Sequence, residues 1–172
     1  PGEEIGLIRA FRETKHPELY LLQMVTGTAF KELAACRVED FSEEEGTLRI
    51  LRTVTGRGIR NLPGGRARTL KLSAMEVRLL KQAMKRGNVT PEMKGALIFT
   101  GQDGHLMLRA PRKEIDAIRR HSGLSDFSAD RSRHWFIARA MSLGVKPRAF
   151  KRLLAGACCI PVFMLSLCMA TP

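Results

Sequence analysis

Apolar positions recur at helical spacing along much of the chain, which predicts a mostly helical protein. Helices are expected at 3–13, 17–26, about 28–36, 74–86, near 110–121, 130–143 and 147–155. In the first of these, Ile5, Ile8 and Phe11 share one face. Pro17 suits the first turn of the second helix, and Thr26–Gly27 ends it.

A different pattern follows, because residues 47–53 alternate apolar and basic side chains as a half-buried strand does. Residues 67–72 look like its partner, and a connection rich in glycine and arginine, 55–65, joins them. Ser73 and Glu76 form a capping box at the start of the next helix. Residues 97–100 are a short extended piece before a turn. The pattern as a whole predicts an α+β fold, mostly helical, with a small antiparallel sheet on one side.

Composition agrees with a globular protein: of 172 residues, 44% are hydrophobic and 27% are charged. Charge is the unusual feature, since 29 Lys and Arg face 17 Asp and Glu, for a net charge of +12. The excess concentrates in two blocks, 47–72, which holds no acid, and 128–152, whose only acid is Asp130. Ordinary solvated faces are the simpler alternative. Two arginine-rich blocks nevertheless favour a polyanion, with nucleic acid ahead of an anionic membrane.

The cysteines show no spacing typical of metal ligands, which predicts reduced, buried thiols and no metal site. They are Cys36, Cys158, Cys159 and Cys168. The apolar segment 153–172 carries no charge and approaches the length of a membrane span. Gly156, Pro161 and Ser166 interrupt it, so packing into the core or onto a neighbouring subunit explains it more simply.

Four stretches carry a resemblance to a known family, in the right order and spacing. The helix, Thr-Gly turn and helix of 21–41 contain TGTAFKEL, and 47–73 contain the strand pair TLRILRT and ARTLKLS. Residues 130–145 read DRSRHWFIARAMSLGV, and 151–156 read KRLLAG. Together they resemble the catalytic domain of tyrosine recombinases, the phage integrase family.

That resemblance implies a helical bundle with a small antiparallel sheet, forming one recombinase-like C-terminal domain over residues 1–172. We expect the separate N-terminal core-binding domain of such proteins to be absent from this chain. In the family, a tyrosine attacks a DNA phosphodiester, two arginines and a histidine or tryptophan neutralise the phosphate, and a lysine protonates the departing oxygen. No metal or nucleotide cofactor takes part.

Most of the family's catalytic positions are substituted here. By this resemblance, Glu32, Arg133 and His134 match the residues that the family has at those positions. The substituted positions are Ala29, Val54, Asp130, Gly156 and Leu165, and the family's nucleophilic tyrosine falls near Leu165. The chain has one tyrosine, Tyr20, which is expected to be a core or half-buried helix residue. We therefore expect a catalytically inactive pseudoenzyme.

Basic side chains remain for a DNA surface, with the hairpin region 57–68 as the strongest candidate. The predicted DNA-binding residues are Arg57, Arg60, Arg66, Arg68, Arg131 and Arg133. For Arg133 a structural ion pair with Glu32 is an equal alternative. His134, beside Trp135, is expected to be a core histidine.

Three functions stay open: an inactive DNA-binding domain, an active strand transferase with a displaced nucleophile, and a protein- or membrane-interaction module that kept the fold. The first is preferred, with duplex DNA as partner and a cytoplasmic location, at the nucleoid in a bacterium. Segment 157–170 is a candidate oligomer contact, and an active recombinase is a candidate partner. A membrane is the least favoured partner.

Overall fold

A computed structural model describes residues 2–101 and 104–145, which form a mostly helical α+β fold, as predicted. The helices are α1 (Gly2–Arg12), α2 (Pro17–Thr26), α3 (Phe30–Leu33), α4 (Ala74–Arg86), α5 (Arg112–Ser122) and α6 (Ala129–Ser142). The strands are β1 (Phe41–Ser42), β2 (Thr47–Ile50), β3 (Arg52–Thr55), β4 (Gly58–Asn61) and β5 (Arg68–Lys71), and a 3-10 turn spans Val38–Asp40.

Helix α1 buries a different face from the predicted one. Leu7, Ala10 and Phe11 are buried at helical spacing, while Ile5 is 52% exposed and Ile8 is only partly buried. The reason is aromatic packing in the core, because the Phe11 ring lies 5.5 Å from that of Tyr20 and 5.9 Å from that of Phe127. The spacing alone did not distinguish these neighbouring stripes.

The end of α2 agrees with the prediction and also positions α6. Gly27 follows the helix with φ +67°, and its N–H donates to the Gln23 carbonyl at 2.9 Å. A Cβ built at Gly27 would lie 2.4 Å from Cδ1 of Phe136 on α6. The backbone of α2 and the Phe136 ring therefore meet at a distance that only glycine allows.

Helix α3 is shorter than the predicted 28–36. After Leu33 the chain tightens, because Ala35 donates to Glu32 and Cys36 to Leu33 in 3-10 fashion. Phe30, Leu33 and Ala34 are buried, as expected for this segment. The short helix places the Glu32 side chain at a fixed position below the sheet strands.

The predicted strand 47–53 is wrong at its C-terminal end, because the chain changes partner at Leu51. Strand β2 pairs antiparallel with β1 and β5, with Leu48 opposite Leu70, and the partnership of 47–53 with 67–72 is thus correct in its first half. Strand β3 instead pairs with β4 as a separate hairpin, with Val54 opposite Ile59. The supposed connection 55–65 therefore contains a strand, which the apolar pattern did not reveal.

Helix α4 confirms the capping box, since Ser73 N–H donates to the Glu76 carboxylate at 2.6 Å and Glu76 N–H to Ser73 Oγ at 3.4 Å. The extended piece 97–100 contributes only an isolated bridge between Leu97 and Arg37. In the described residues no helix is long and apolar enough to cross a membrane. The predicted helix 147–155 and the segment 153–172 lie outside those residues.

Candidate nucleic-acid interface

A buried ion pair lies at the centre of the site, between α3 and β5. Arg68 Nη2 donates to Glu32 Oε2 at 2.6 Å, and its Nη1 donates to Oε1 at 3.1 Å. The Arg68 and Glu32 residues are 7% and 9% exposed. Arg68, which the sequence assigned to a DNA surface, is thus committed to a bidentate contact inside the protein.

Positive charge exceeds negative charge around Glu32. Arg133 on α6 acts on the same carboxylate, so two arginines share one buried acid. Burial alone would raise the pKa of the Glu32 carboxyl, but the Arg68 hydrogen bonds, the Ala29 N–H at 3.1 Å and the charge of Arg133 lower that pKa overall. Glu32 is therefore ionised at neutral pH.

Arg133 is the less satisfied of the two arginines. Its Nε is buried and has no hydrogen-bond partner among the described residues. The structure pairs Glu32 with Arg68 and not with Arg133, so the alternative of an Arg133–Glu32 ion pair does not hold, although the two residues are close enough to interact electrostatically. A half-buried guanidinium whose Nε lacks a partner among the described residues, beside an acid already paired, is suited to an anionic ligand.

The β3–β4 hairpin presents arginines to solvent. Arg57 lies in its turn and Arg60 on β4, and Arg66 follows in the loop before β5; all three are exposed. The turn is held internally, because Thr55 Oγ1 donates to the Gly58 carbonyl at 2.9 Å and accepts from Arg57 N–H at 3.3 Å. None of the three arginines forms an ion pair within residues 2–101 and 104–145.

Another arginine anchors that hairpin. Arg52 begins β3 and forms an ion pair with Asp40, which is 2% exposed and also accepts the Arg37 N–H at 2.8 Å. Val54, two residues further along β3, is 1% exposed. The base of the hairpin is therefore fixed to the core while its tip projects.

The predicted residues on α6 divide between roles. Arg131 forms an ion pair with Asp126, and Asp130 is exposed in the first turn. His134 is exposed, so the expectation of a core histidine is wrong; the buried side of α6 carries Ser132 and Phe136 instead. His134 lies in a surface groove of about 490 Å³ together with Arg131 and Trp135.

The described positions aligned with lost catalytic residues hold no replacement chemistry. Ala29 is the N-cap of α3, and Val54 is buried. Gly156 and Leu165 lie outside the described residues. Tyr20 is fully buried, as expected of a core residue, and burial together with the charge of Glu114 raises the pKa of its hydroxyl well above the ordinary value. Tyr20 is therefore unsuited to nucleophilic attack.

Sequence reasoning missed a second basic surface, on α5. Arg112, Lys113 and Arg120 are exposed, and Arg119 donates to the Phe127 carbonyl at 2.9 Å. Lys113, Arg119 and Arg120 line an open groove of about 670 Å³ that also contains Asp116. The sequence signal that could have revealed this surface is the density of basic residues in 109–120. That segment lies between the two basic blocks, 47–72 and 128–152, and it also contains acids.

Metal chemistry has no support in this part of the chain. Among residues 2–101 and 104–145, no group of three or more His, Cys, Asp or Glu side chains is arranged to hold a metal ion. The cysteine described there, Cys36, is buried with a free thiol, and burial raises its pKa.

Comparison with known proteins gives the class of the fold. The Tn1549 transposon integrase, solved with transposon right end DNA, superimposes with a TM-score of 0.74 at 15% identity, covering 100% of this chain and 60% of its own. The XerH site-specific recombinase bound to difH substrate gives 0.67 at 21%, covering 91% and 46%. The integrase from mycobacterium phage Brujita gives 0.59 at 23%, covering 87% and 47%. The fold is that of a tyrosine-recombinase catalytic domain.

The family follows from the sequence model rather than from these structures. The phage integrase family model matches residues 7–155, and the chain therefore belongs to the phage integrase family. This confirms the resemblance drawn from the four sequence stretches. No curated protein matches the chain. The chain spans only 46% to 60% of the length of the three solved recombinases above.

Proposed function

We propose that this chain is a DNA-binding domain of an integrase or recombinase that grips the duplex backbone and does not cleave it. The observation that carries the proposal is the excess of arginine over acid at Glu32. Arg68 takes the carboxylate, and the buried Nε of Arg133 has no hydrogen-bond partner in the part of the chain that the structure describes. A phosphate oxygen is an acceptor of the right charge for that donor.

The exposed arginines of the hairpin supply the second part of the argument. Arg57 and Arg60 project from a hairpin whose base is fixed by the Arg52–Asp40 ion pair, and Arg66 is exposed in the loop before β5, so the backbone that carries their charge is largely ordered before binding. Arg112, Lys113 and Arg120 on α5 extend the same kind of surface. Contacts of this type position a protein on DNA without reading its sequence.

The structural neighbours give independent support for the ligand. The Tn1549 integrase and XerH were solved with DNA, and this chain shares their fold at low identity. In our proposal Arg68 supports the surface from inside, whereas the exposed arginines and Arg133 meet phosphates.

Loss of catalysis rests on the substituted positions. Ala29, Val54 and Asp130 stand where the family resemblance expects an arginine, a lysine and a histidine. None of these side chains can neutralise a phosphate or protonate a leaving oxygen in the way those residues do. The alternative of a displaced nucleophile predicts a covalent protein–DNA intermediate, which is directly measurable.

The test is equilibrium binding of the chain to a fluorescent duplex of random sequence between 50 and 200 mM salt, with a denaturing gel of the same samples. Three phosphate contacts from the hairpin would weaken binding roughly 40-fold over that range. We expect steep salt dependence and no covalent band. A covalent band would support the strand transferase, and no binding at 50 mM salt would contradict DNA binding altogether.

Lys81→Ala is the matched control for a changed surface charge. Lys81 is exposed on α4 and forms an ion pair with Glu43 at 2.6 Å, in the acidic turn 43–45. Removing its charge should leave DNA affinity within about twofold, because that region repels phosphates. Contact of segment 157–170 with a second copy, association with an active recombinase and a cytoplasmic location remain predictions.

A further inference from the structure

His16 is a largely enclosed histidine at the start of α2, with 15% of its side chain exposed. Its Nδ1 lies 2.6 Å from Glu114 Oε1, and its Nε2 lies 2.7 Å from the Thr100 carbonyl oxygen. Both ring nitrogens therefore have a hydrogen-bond partner within the protein. None of the DNA contacts proposed above uses this residue.

The two partners determine the protonation state. A carbonyl oxygen and an ionised carboxylate can only accept, whereas a neutral imidazole has a single N–H to donate. Both bonds form at once when the ring carries two N–H groups, that is, when His16 is an imidazolium beside an ionised Glu114. The geometry thus favours a charged ring in a mostly enclosed position.

The ring joins three segments that are distant in sequence. His16 precedes α2, Thr100 ends the extended piece 97–100, and Glu114 lies in the first turn of α5. The N-cap of α5 is Pro111, which makes no side-chain capping bond. The first turn of α5 is therefore held in part by a side chain from another element.

The acidic groups around the ring favour its protonated form. Burial disfavours its charged form, but Glu114, the Thr100 carbonyl and the charge of Glu18 outweigh burial and raise the pKa of His16. Arg86 on α4 forms an ion pair with Glu18 at 2.8 Å. Arg86 and the exposed Lys15 line the same surface pocket as His16. The Tyr20 hydroxyl, also close to Glu114, stays protonated wherever His16 titrates, because its pKa is raised.

We propose that His16 is a proton-dependent clasp that holds the first turn of α5 against α2, and that loss of its proton loosens this basic helix. This regulation rests on the proposed function, because it is α5 that would carry Arg112, Lys113 and Arg120 to the DNA. Neutral His16 must give up one of its two bonds, and either loss releases a connection between distant segments.

The pH range follows from the direction of the shift. A pKa raised in the folded protein stabilises the fold fully below the ordinary histidine value of about 6.5 and loses that effect as the pH rises through the raised pKa. We therefore expect the first turn of α5 to loosen on the alkaline side of neutrality.

The first experiment is nitrogen-15 NMR of the four histidine rings in the whole chain. At pH 7.5 the His16 ring should show two protonated nitrogens, as its bonds to Glu114 and Thr100 require. In Glu114→Gln, His16 should lose its second ring proton at a lower pH than in the wild type. A neutral His16 at pH 7.5, with the proton on Glu114 instead, would overturn the proposal.

Hydrogen exchange tests the loosening without DNA. Protection factors of the Glu114 and Ile115 amides, which donate to the Pro111 carbonyl, should fall about tenfold across the His16 titration, as expected for one charge-assisted hydrogen bond. His16→Gln should remove that step, and His105→Gln should keep it. Unchanged protection in the wild type would contradict the clasp.

DNA affinity completes the test and separates the two proposals. Wild-type binding should weaken several-fold across the same pH range, and His16→Gln should show no such step. Binding without a pH step would overturn the regulation and leave the DNA proposal intact. Absence of binding at every pH would overturn the DNA proposal, and exchange would still decide whether His16 clasps α5.

Discussion

Five of the six arginines of 47–72 belong to two groups that differ in surroundings and not in sequence character. Arg52 and Arg68 are bound by the buried acids Asp40 and Glu32, whereas Arg57, Arg60 and Arg66 are exposed and form no ion pair in the described residues. The block contains no acid of its own, yet the fold brings acids to two of its members. A basic run in sequence is therefore an upper limit on the charge available to a ligand.

The largest expected effect concerns the buried group. Arg68→Ala leaves Glu32 enclosed without its bidentate partner, which should lower the free energy of unfolding by about 3–5 kcal/mol. Urea denaturation monitored by circular dichroism measures this. The matched variant Arg66→Ala, two residues away and exposed, should change stability by less than about 0.5 kcal/mol. Equal losses in the two variants would mean that the buried and the exposed arginines contribute equally to stability.

The exposed group should show the converse behaviour. Replacing Arg57, Arg60 and Arg66 together by alanine should reduce the slope of log affinity against log salt by about 2.7, since each phosphate contact contributes about 0.9. Stability should stay close to that of the wild type. An unchanged slope in the folded triple variant would mean that these arginines do not contact DNA.

Exchange of arginine for lysine sharpens the comparison. Arg68→Lys keeps the charge but loses the fork that bonds both Glu32 oxygens, and should cost about 1–2 kcal/mol of stability. Arg57→Lys keeps the charge in an exposed turn, so DNA affinity should change by no more than about twofold. The pair of measurements separates geometry from charge. A larger loss of stability in Arg57→Lys than in Arg68→Lys would reverse the assignment of the two arginines.

The smallest expected effect is in acid. The pKa of Glu32 is lowered in the folded protein, so its contribution to stability is present above the ordinary glutamate value and is lost as the pH falls through the lowered pKa. Wild-type stability should therefore fall more steeply than that of Glu32→Gln between pH 5 and 3. Parallel urea titrations at each pH measure the difference, and parallel curves would contradict it.

Local signals in the sequence predicted the elements better than the contacts between them. The Ser73–Glu76 capping box and the stop at Gly27 depend on a few neighbouring residues, and the structure has both. The β3–β4 hairpin was missed because the apolar pattern of a strand does not identify its partner. The role of Arg68 was missed because its acid lies 36 residues away along the chain.

The family resemblance located the site where the residues alone did not. It brought Glu32 and Arg133 into one centre, and the structure has them close together. The exposure of His134 and the basic surface of α5 depend on which side of a helix meets the core. On α6 a buried Ser132 and a half-exposed Trp135 show that residue type did not determine that side.

The contact between Gly27 and Phe136 has a consequence for sequence variation in this family. A methyl group at 27 would strain a left-handed backbone and also overlap the ring on α6, so a single substitution at this position incurs two separate penalties. Shortening the side chain at 136 removes only the overlap. Among relatives of similar backbone, residue size at the two positions should therefore be inversely correlated, with change at 136 preceding change at 27.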